Sequence, residues 1–360
     1  PCNALCNSHM DWFASQLIRW WSAHGRKDLP WQIDRTGYRV WISEIMLQQT
    51  QVTTVIPYYQ RFMNRFPNAA ALADADEDAV LALWTGLGYY SRARNLHKAA
   101  RMLVESHNGM LPRTLDELTT LPGIGRSTAG AILSISDSQP LPILDGNVRR
   151  VLARFHAFDG ATGSAASERA MWERATEHTP DTQNDIYTQA IMDLGATVCT
   201  RRNPDCPVCP LRTHCAALRG GDPTAYPKPR ERKNPPTRQA RMFVIADGDG
   251  FCLLRRRPAR GVWASLWSPP QYPPDTALGQ VLTELALDHG AVTSVHHGPT
   301  FQHGFTHYTL SIEPIYVQIA GGARRRLEAE VRDRDTQPVR WHHPRDRADF
   351  GLSAVAVKLI

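Results

Sequence analysis

Four cysteines crowd into one short stretch with the spacing Cys199-x6-Cys206-x2-Cys209-x5-Cys215, while the other three, Cys2, Cys6 and Cys252, are scattered. Thiols this close in sequence tie a segment through disulfides or around a metal centre, and in a reducing cytosol the metal is favoured. Zn2+ and an iron-sulfur cluster both accept four thiolates, and general spacing rules do not separate them. The quartet also marks a change in the character of the chain. Before it, from Asp11 to about Ala196, apolar residues recur at three- and four-residue intervals with punctuation such as Leu121-Pro122-Gly123, the pattern of packed helices. After it come Pro223, Pro227, Pro229, Pro235 and Pro236 among basic residues, the composition of a linker.

Beyond the linker the periodicity becomes strand-like. Residues 241–246, the turn Asp247–Gly250 and the apolar run from Phe251 to Leu254 predict a hairpin. Further strands are expected at Tyr308–Ile312 and Ile315–Ile319, with a helix over Ala277–Asp288. A chain of 360 residues also exceeds one ordinary domain at roughly 150 residues each. The expected division is therefore a mainly α domain over residues 10–218, a Pro-rich linker over 219–238 and an α+β domain over 239–360.

Composition narrows the function classes. Hydrophobic residues make up 42% and charged residues 21%, which is globular rather than disordered composition. Lys and Arg number 41 against 35 acidic residues, a net charge of +6 compatible with a polyanionic partner. No run of about 18 apolar residues is present, and residues 1–20 lack a basic start followed by an apolar stretch and a cleavage site. A cytoplasmic, DNA-associated monomer with no membrane contact is expected, and residues 1–9 receive no role.

Three segments carry chemistry. In Leu121–Gly130, a tight turn with Gly123 and Gly125 leads into a helix, an arrangement whose backbone amides suit a phosphate, although an isolated Gly-x-Gly is more often an ordinary turn between helices. Asp145 follows apolar Ile143-Leu144 and precedes an apolar-periodic helix, so taken alone it reads as a helix N-cap. Glu44 sits among mostly apolar neighbours in Val40–Val52, where desolvation would raise its pKa and keep it protonated, as a general acid requires.

With five segments in order, Trp41–Val55, Trp84–Leu96, Leu121–Ile132, Pro142–Leu152 and the cysteine stretch, the chain resembles the MutY family of adenine DNA glycosylases, within the helix-hairpin-helix superfamily that includes endonuclease III. The resemblance runs along nearly the whole length. It implies a helix-hairpin-helix catalytic domain, a [4Fe-4S] cluster on Cys199, Cys206, Cys209 and Cys215, and a Nudix-like C-terminal domain. It further implies removal of adenine from 8-oxoguanine:adenine or guanine:adenine mispairs in double-stranded DNA, with no diffusible cofactor.

Residue by residue, the resemblance makes Glu44 the acid that protonates the adenine and Asp145 the anion beside the sugar, with Ser127 and Asn147 holding Asp145. Gln48 and Tyr89 match residues that wedge into the base stack, Gly123 and Gly125 the hairpin turn, and Arg26, Trp31 and Gln189 pocket contacts; for Trp31 core packing competes evenly. Ser127 stands where strand-cutting relatives carry a Schiff-base lysine, which implies a monofunctional enzyme. Thr306 and His307, in Phe305-Thr306-His307, correspond to a loop that probes the 8-oxoguanine; the alternative is a strand end in the core. Over Thr276–Gly290 only Glu284 and Asp288 stand near the positions of a Nudix metal site, so nucleotide hydrolysis is not expected. Two rivals remain, a bifunctional glycosylase/lyase and a non-catalytic DNA-binding iron-sulfur protein; Ser127 weighs against the first, and Glu44 with Asp145 against the second.

Overall fold

The computed structural model describes residues 10–229, 235–320 and 338–360; of the expected linker, residues 230–234 lie outside the described residues. The first part is helical, as its periodicity predicts: α1 (Trp12–His24), α2 (Pro30–Ile33), α3 (Gly37–Leu47), α4 (Val52–Arg65), α5 (Ala69–Ala73), α6 (Glu77–Trp84), α7 (Ser91–His107), α8 (Leu115–Thr120), α9 (Arg126–Asp137), α10 (Gly146–Phe155), α11 (Ala165–Glu177), α12 (Asn184–Thr197) and α13 (Ala216–Arg219). Side-chain caps start several of them. Asp11, Thr36, Asn68, Thr114, Asp145 and Ser164 each accept a first-turn N–H, satisfying donors that a helix leaves unpaired.

Contacts divide the chain into two units, and the division is not linear. One unit runs to Asp74 and resumes at Asn95, ending in the linker; the other joins Ala75–Arg94, which includes α6, to the chain beyond the linker. In the first, Phe13, Leu17, Trp41, Ile42, Met46, Phe62 and Phe66 are fully buried. Close helix contact there depends on small residues. A Cβ at Gly130 of α9 would lie 2.8 Å from the Pro142 carbonyl oxygen, so only glycine lets α9 approach the segment that leads into α10.

The second unit is built on a mixed sheet. Strands β1 (Thr237–Ala246), β2 (Cys252–Arg256), β3 (Trp267–Ser268), β4 (Gln271–Tyr272), β5 (Val292–His297), β6 (Phe301–Gly304), β7 (Thr309–Ile319) and β8 (Val339–His342) pair in the order β3-β2-β1-β7-β5, with β4 on β1, β6 on β7 and β8 on β2. The expected hairpin is β1 and β2, antiparallel about the Asp247–Gly250 turn. The two expected strands after Tyr308 are one, β7, which runs through Pro314 and pairs in parallel with β1 from Thr237↔Thr309 to Ala246↔Gln318. The expected helix is shorter than its pattern: α14 (Leu278–Glu284) stops before Ala286, whose φ of +55° breaks helical geometry. Helix α14 covers the sheet through Val281 and Leu282, which pack with Phe243, Ile245, Leu253, Ile315 and Val317. A last helix, α15 (Ala354–Leu359), is capped by Ser353.

Gly130→Ala is expected to lower folding stability by about 1–3 kcal/mol, because the added methyl strikes backbone rather than a yielding side chain. A thermal melt checks it; a Tm unchanged from wild type would contradict the close-approach role of this glycine.

Candidate active site

Within the first unit, α3, α9, α10 and α12 surround a cavity of about 770 Å3. Its lining brings together Arg26, Trp31, Glu44, Gln48, Ser127, Asp145, Asn147 and Gln189, residues spread over much of the chain. Gly123 and Gly125 stand apart in the turn between α8 and α9. Gly123 has φ +83° and packs on Asn95, whereas a Cβ at Gly125 would meet nothing, leaving that stretch of backbone open to an approaching group. Tyr89, Thr306 and His307 belong to the other unit.

The two carboxylates sit in unlike surroundings. Helix α3 buries Val40, Trp41, Ile42, Ser43, Ile45 and Met46 around Glu44, whose side chain meets the cavity. Burial, with the Asp145 charge adding to it, raises the Glu44 carboxyl to about 8. Asp145 is the N-cap of α10, and its Oδ1 accepts the Val148 N–H at 2.7 Å. Burial raises its pKa as well, but the N–H groups of Val148 and Asn147 and the positive charge of Arg150 oppose that rise. At neutral pH Glu44 is thus a half-buried acid holding its proton, next to a carboxyl supplied with partners for its anion.

Neighbouring groups fix this geometry. The Ser127 hydroxyl accepts the Leu144 N–H at 2.9 Å, bracing the backbone one residue before Asp145 rather than the carboxylate itself. Asn147 Nδ2 approaches Asp145 Oδ2 at 3.5 Å, a long contact, and its Oδ1 accepts from Arg150 at 2.8 Å. Arg26 forks onto Asp193, donating from Nε at 3.0 Å and Nη2 at 2.5 Å, while Asp193 also accepts from Trp21 Nε1. Trp31 is both core and lining: it is buried, edge-on to Tyr59 with centroids 5.4 Å apart, and meets the cavity. Gln189 accepts from Gln32 Nε2. Gln48 follows the last turn of α3, where its Nε2 lies 3.4 Å from Thr128 Oγ1.

The four cysteines lie around one small cavity of about 30 Å3 beside Arg154. Arg154 is buried, and its guanidinium donates to the Thr200, Arg201 and Tyr226 carbonyls at 2.7, 2.9 and 3.1 Å while reaching Cys199 Sγ at 3.3 Å. Arg150, one turn earlier on α10, donates to the Cys199 and Gly195 carbonyls at 2.7 and 2.6 Å. Burial pushes the Cys209 thiol up to about 12, and the facing thiols add to the rise, so four thiolates here need a cationic group among them. Among the described residues no three His, Cys, Asp or Glu side chains converge on a single metal ion.

In the second unit, Thr306 and His307 are exposed at a turn closed by the Phe305 N–H and the Tyr308 carbonyl at 2.8 Å; they are not a strand end in the core. Phe305 anchors the turn against Trp263, His303 and Tyr308. Glu284 is ion-paired with Arg255 at 2.6 Å, and Asp288 caps a short 3-10 turn. Among the described residues, no helix is long and apolar enough to cross a membrane.

Sequence reading missed Asp193, Arg150 and Arg154. The two arginines had a signal, their i,i+4 spacing on one face of the helix that Asp145 caps, whereas Asp193 carries none.

Residues 42–177 match the family model described as HhH-GPD superfamily base excision DNA repair protein, and residues 241–360 match a NUDIX domain. The chain is 38% identical over 307 residues to an adenine DNA glycosylase of Buchnera aphidicola subsp. Baizongia pistaciae, covering 85% of this chain and 86% of that one. It is 33% identical to the adenine DNA glycosylase of Homo sapiens, covering 86% of this chain and 67% of the other. Among solved structures, a thermostable thymine-DNA glycosylase is similar with a TM-score of 0.51 and 25% identity, over 58% of this chain and 95% of that one. A trapped endonuclease III-DNA covalent intermediate shares the fold, with a TM-score of 0.50 and 23% identity over 57% of this chain and 94% of that one.

Glu44 titrates near 4.5 in an unfolded chain and near 8 in the folded protein. Between those values the folded state binds more protons than the unfolded state, so stability falls as pH rises through that window. Glu44→Gln is therefore expected to stabilise the protein at about pH 9 by about 1–3 kcal/mol and to change little near pH 4.5. Melts across pH test this; an effect that does not vary with pH would contradict a raised Glu44.

Proposed function

The chain belongs to the adenine DNA glycosylase family, and from that premise we propose that it is a monofunctional enzyme that hydrolyses adenine from 8-oxoguanine:adenine or guanine:adenine mispairs. It is a base-excision DNA glycosylase in fold and family, and its substrate is DNA. The observation that carries the finer reading is the pair Glu44 and Asp145, on one cavity in unlike environments.

Adenine is a poor leaving group. Glu44, protonated at neutral pH, gives its proton to N7 of the extruded adenine, so the bond between C1′ and N9 breaks and the base departs neutral. The sugar is left with oxocarbenium character, which the Asp145 anion stabilises at close range. Water then adds to C1′ and yields its proton to the Glu44 carboxylate, leaving an abasic site. Asp145 is held for this by its own helix, by Ser127 through Leu144, and by Arg150. Arg26, Trp31 and Gln189 line the place of the flipped base, and Gln48 and Tyr89 fill the gap it leaves. Gly123 and Gly125 bring the hairpin backbone to a phosphate. Thr306 and His307, exposed on their turn, supply a hydroxyl and an imidazole to the opposite base.

Ser127 supports the monofunctional reading. A serine hydroxyl cannot form the Schiff base through which a lysine at this place would cut the strand. Cys199, Cys206, Cys209 and Cys215 would hold a [4Fe-4S] cluster, whose donor set and shared cavity they fit; bound there it would supply a cationic crosslink that orders the segment after α12.

A duplex with one 8-oxoguanine:adenine pair tests the reading. Strand breaks are expected only after hot alkali, with no adduct trapped by borohydride, and Glu44→Gln should lower the rate by a factor of at least about 10^2, the scale of a lost general acid. Because Glu44 acts in its protonated form, the rate should fall as pH rises through about 8. Breaks without alkali would favour the lyase, and tight binding without abasic product would favour the non-catalytic reading.

A further inference from the structure

Tyr89 is presented in an unusual way. Its side chain is half exposed, and its backbone holds φ +49°, a conformation that bulky L residues rarely adopt, directly after a turn in which Gly86 and Gly88 have φ +95° and +78°. Such strain persists only where surroundings impose it. Trp84 Nε1 donates to the Gly88 carbonyl at 3.1 Å, and the buried Arg92 donates to the same carbonyl at 3.0 Å, its guanidinium lying 5.7 Å from the Tyr89 ring centroid.

The same loop is fastened to the C-terminal end of the chain. The Tyr90 hydroxyl accepts the Gly86 N–H at 3.2 Å and donates to the Leu352 carbonyl at 3.0 Å, so one side-chain oxygen joins the loop to residues far along the sequence. Thr85 Oγ1 accepts the Leu352 N–H at 3.2 Å, completing a two-way bridge between this loop and Leu352. Arg94 adds a bond of 2.7 Å to the Ala264 carbonyl, next to Trp263, which packs on Phe305 of the exposed turn.

We infer that Tyr90 is a positioning residue: its hydroxyl, with Thr85, fastens the Tyr89 loop to the C-terminal segment, so that an exposed aromatic side chain is presented rigidly to the DNA base stack by the unit that also carries Thr306 and His307. An aromatic wedge held in advance inserts without the cost of ordering its own loop, and insertion is what stabilises an extruded partner base. This rests on the base-flipping reading above. Tyr90 touches no substrate in this account; it acts through Tyr89.

The test uses full-length protein and a duplex with 2-aminopurine opposite 8-oxoguanine, whose fluorescence rises when the base leaves the stack. Tyr90→Phe keeps the ring and removes the hydroxyl. It is expected to lower the extruded fraction about three- to tenfold, the effect of one or two lost neutral hydrogen bonds, with faster amide exchange at residues 86–89. In a Tyr89→Ala background the same substitution should have no further effect, since the path through the wedge is already gone. Thr85→Val, which removes the other half of the bridge, should repeat the pattern if Tyr90→Phe folds poorly. Extrusion equal to wild type in both variants, or a loss that persists in the Tyr89→Ala background, would overturn the proposal. Failure of the wild-type protein to excise adenine from the matching duplex would instead overturn the function on which it rests.

Discussion

Helix α10 carries two tasks that depend on each other. Its first residue outside the helix, Asp145, is at once the cap that starts the helix and one of the two carboxylates of the cavity, held by the Val148 N–H at 2.7 Å. One and two turns later, Arg150 and Arg154 reach from the same helix to the backbone of the cysteine segment, at the Cys199, Thr200 and Arg201 carbonyls. Two buried or half-buried guanidinium groups are tolerable only because carbonyls, a thiol and the Asn147 amide satisfy them. The position of Asp145 is therefore set by a helix that also holds the backbone of the cysteine segment, and anything that loosens that segment removes acceptors from Arg150, whose charge faces Asp145.

The second constraint is electrostatic. Two carboxyl groups on one cavity cannot both be charged cheaply, and the fold resolves this by environment. Glu44 projects from an apolar helix and keeps its proton; Asp145 has N–H groups and Arg150 around it and is the better placed of the two to lose its own. In the proposed reaction that difference would put an acid on the base side and an anion on the sugar side, as breaking a bond to a poor leaving group requires. Arg26, by contrast, is already committed to Asp193 and serves the cavity as part of a braced wall.

Much of this was legible in the sequence where a signal is local. The cysteine spacing, the hairpin glycines, the apolar setting of Glu44 and the capping position of Asp145 are properties of adjacent residues, and the structure bears out the helix before and the strands after the linker. Beyond the hairpin of β1 and β2, pairing partners were not legible. Nothing near Pro314 announces that β7 is one parallel partner of β1, and the break at Ala286 lies inside a pattern that reads as continuous helix. Likewise Asp193 finds Arg26 and Trp21, and Tyr90 finds Leu352, across separations that no window of sequence spans. Ser127 illustrates the middle case: its residue type pointed to the absence of a lyase nucleophile, but its actual contact is with the Leu144 backbone.

The proposed chemistry requires Glu44 to be a protonated acid in the resting protein, and an isotope-edited carboxyl titration by NMR measures that without substrate or turnover. One glutamate resonance is expected with a midpoint near 8, absent in Glu44→Gln and moved downward in Asp145→Asn, where the neighbouring charge is gone. A Glu44 midpoint close to the ordinary 4.5 would contradict it, since the cavity would then hold two anions and no acid.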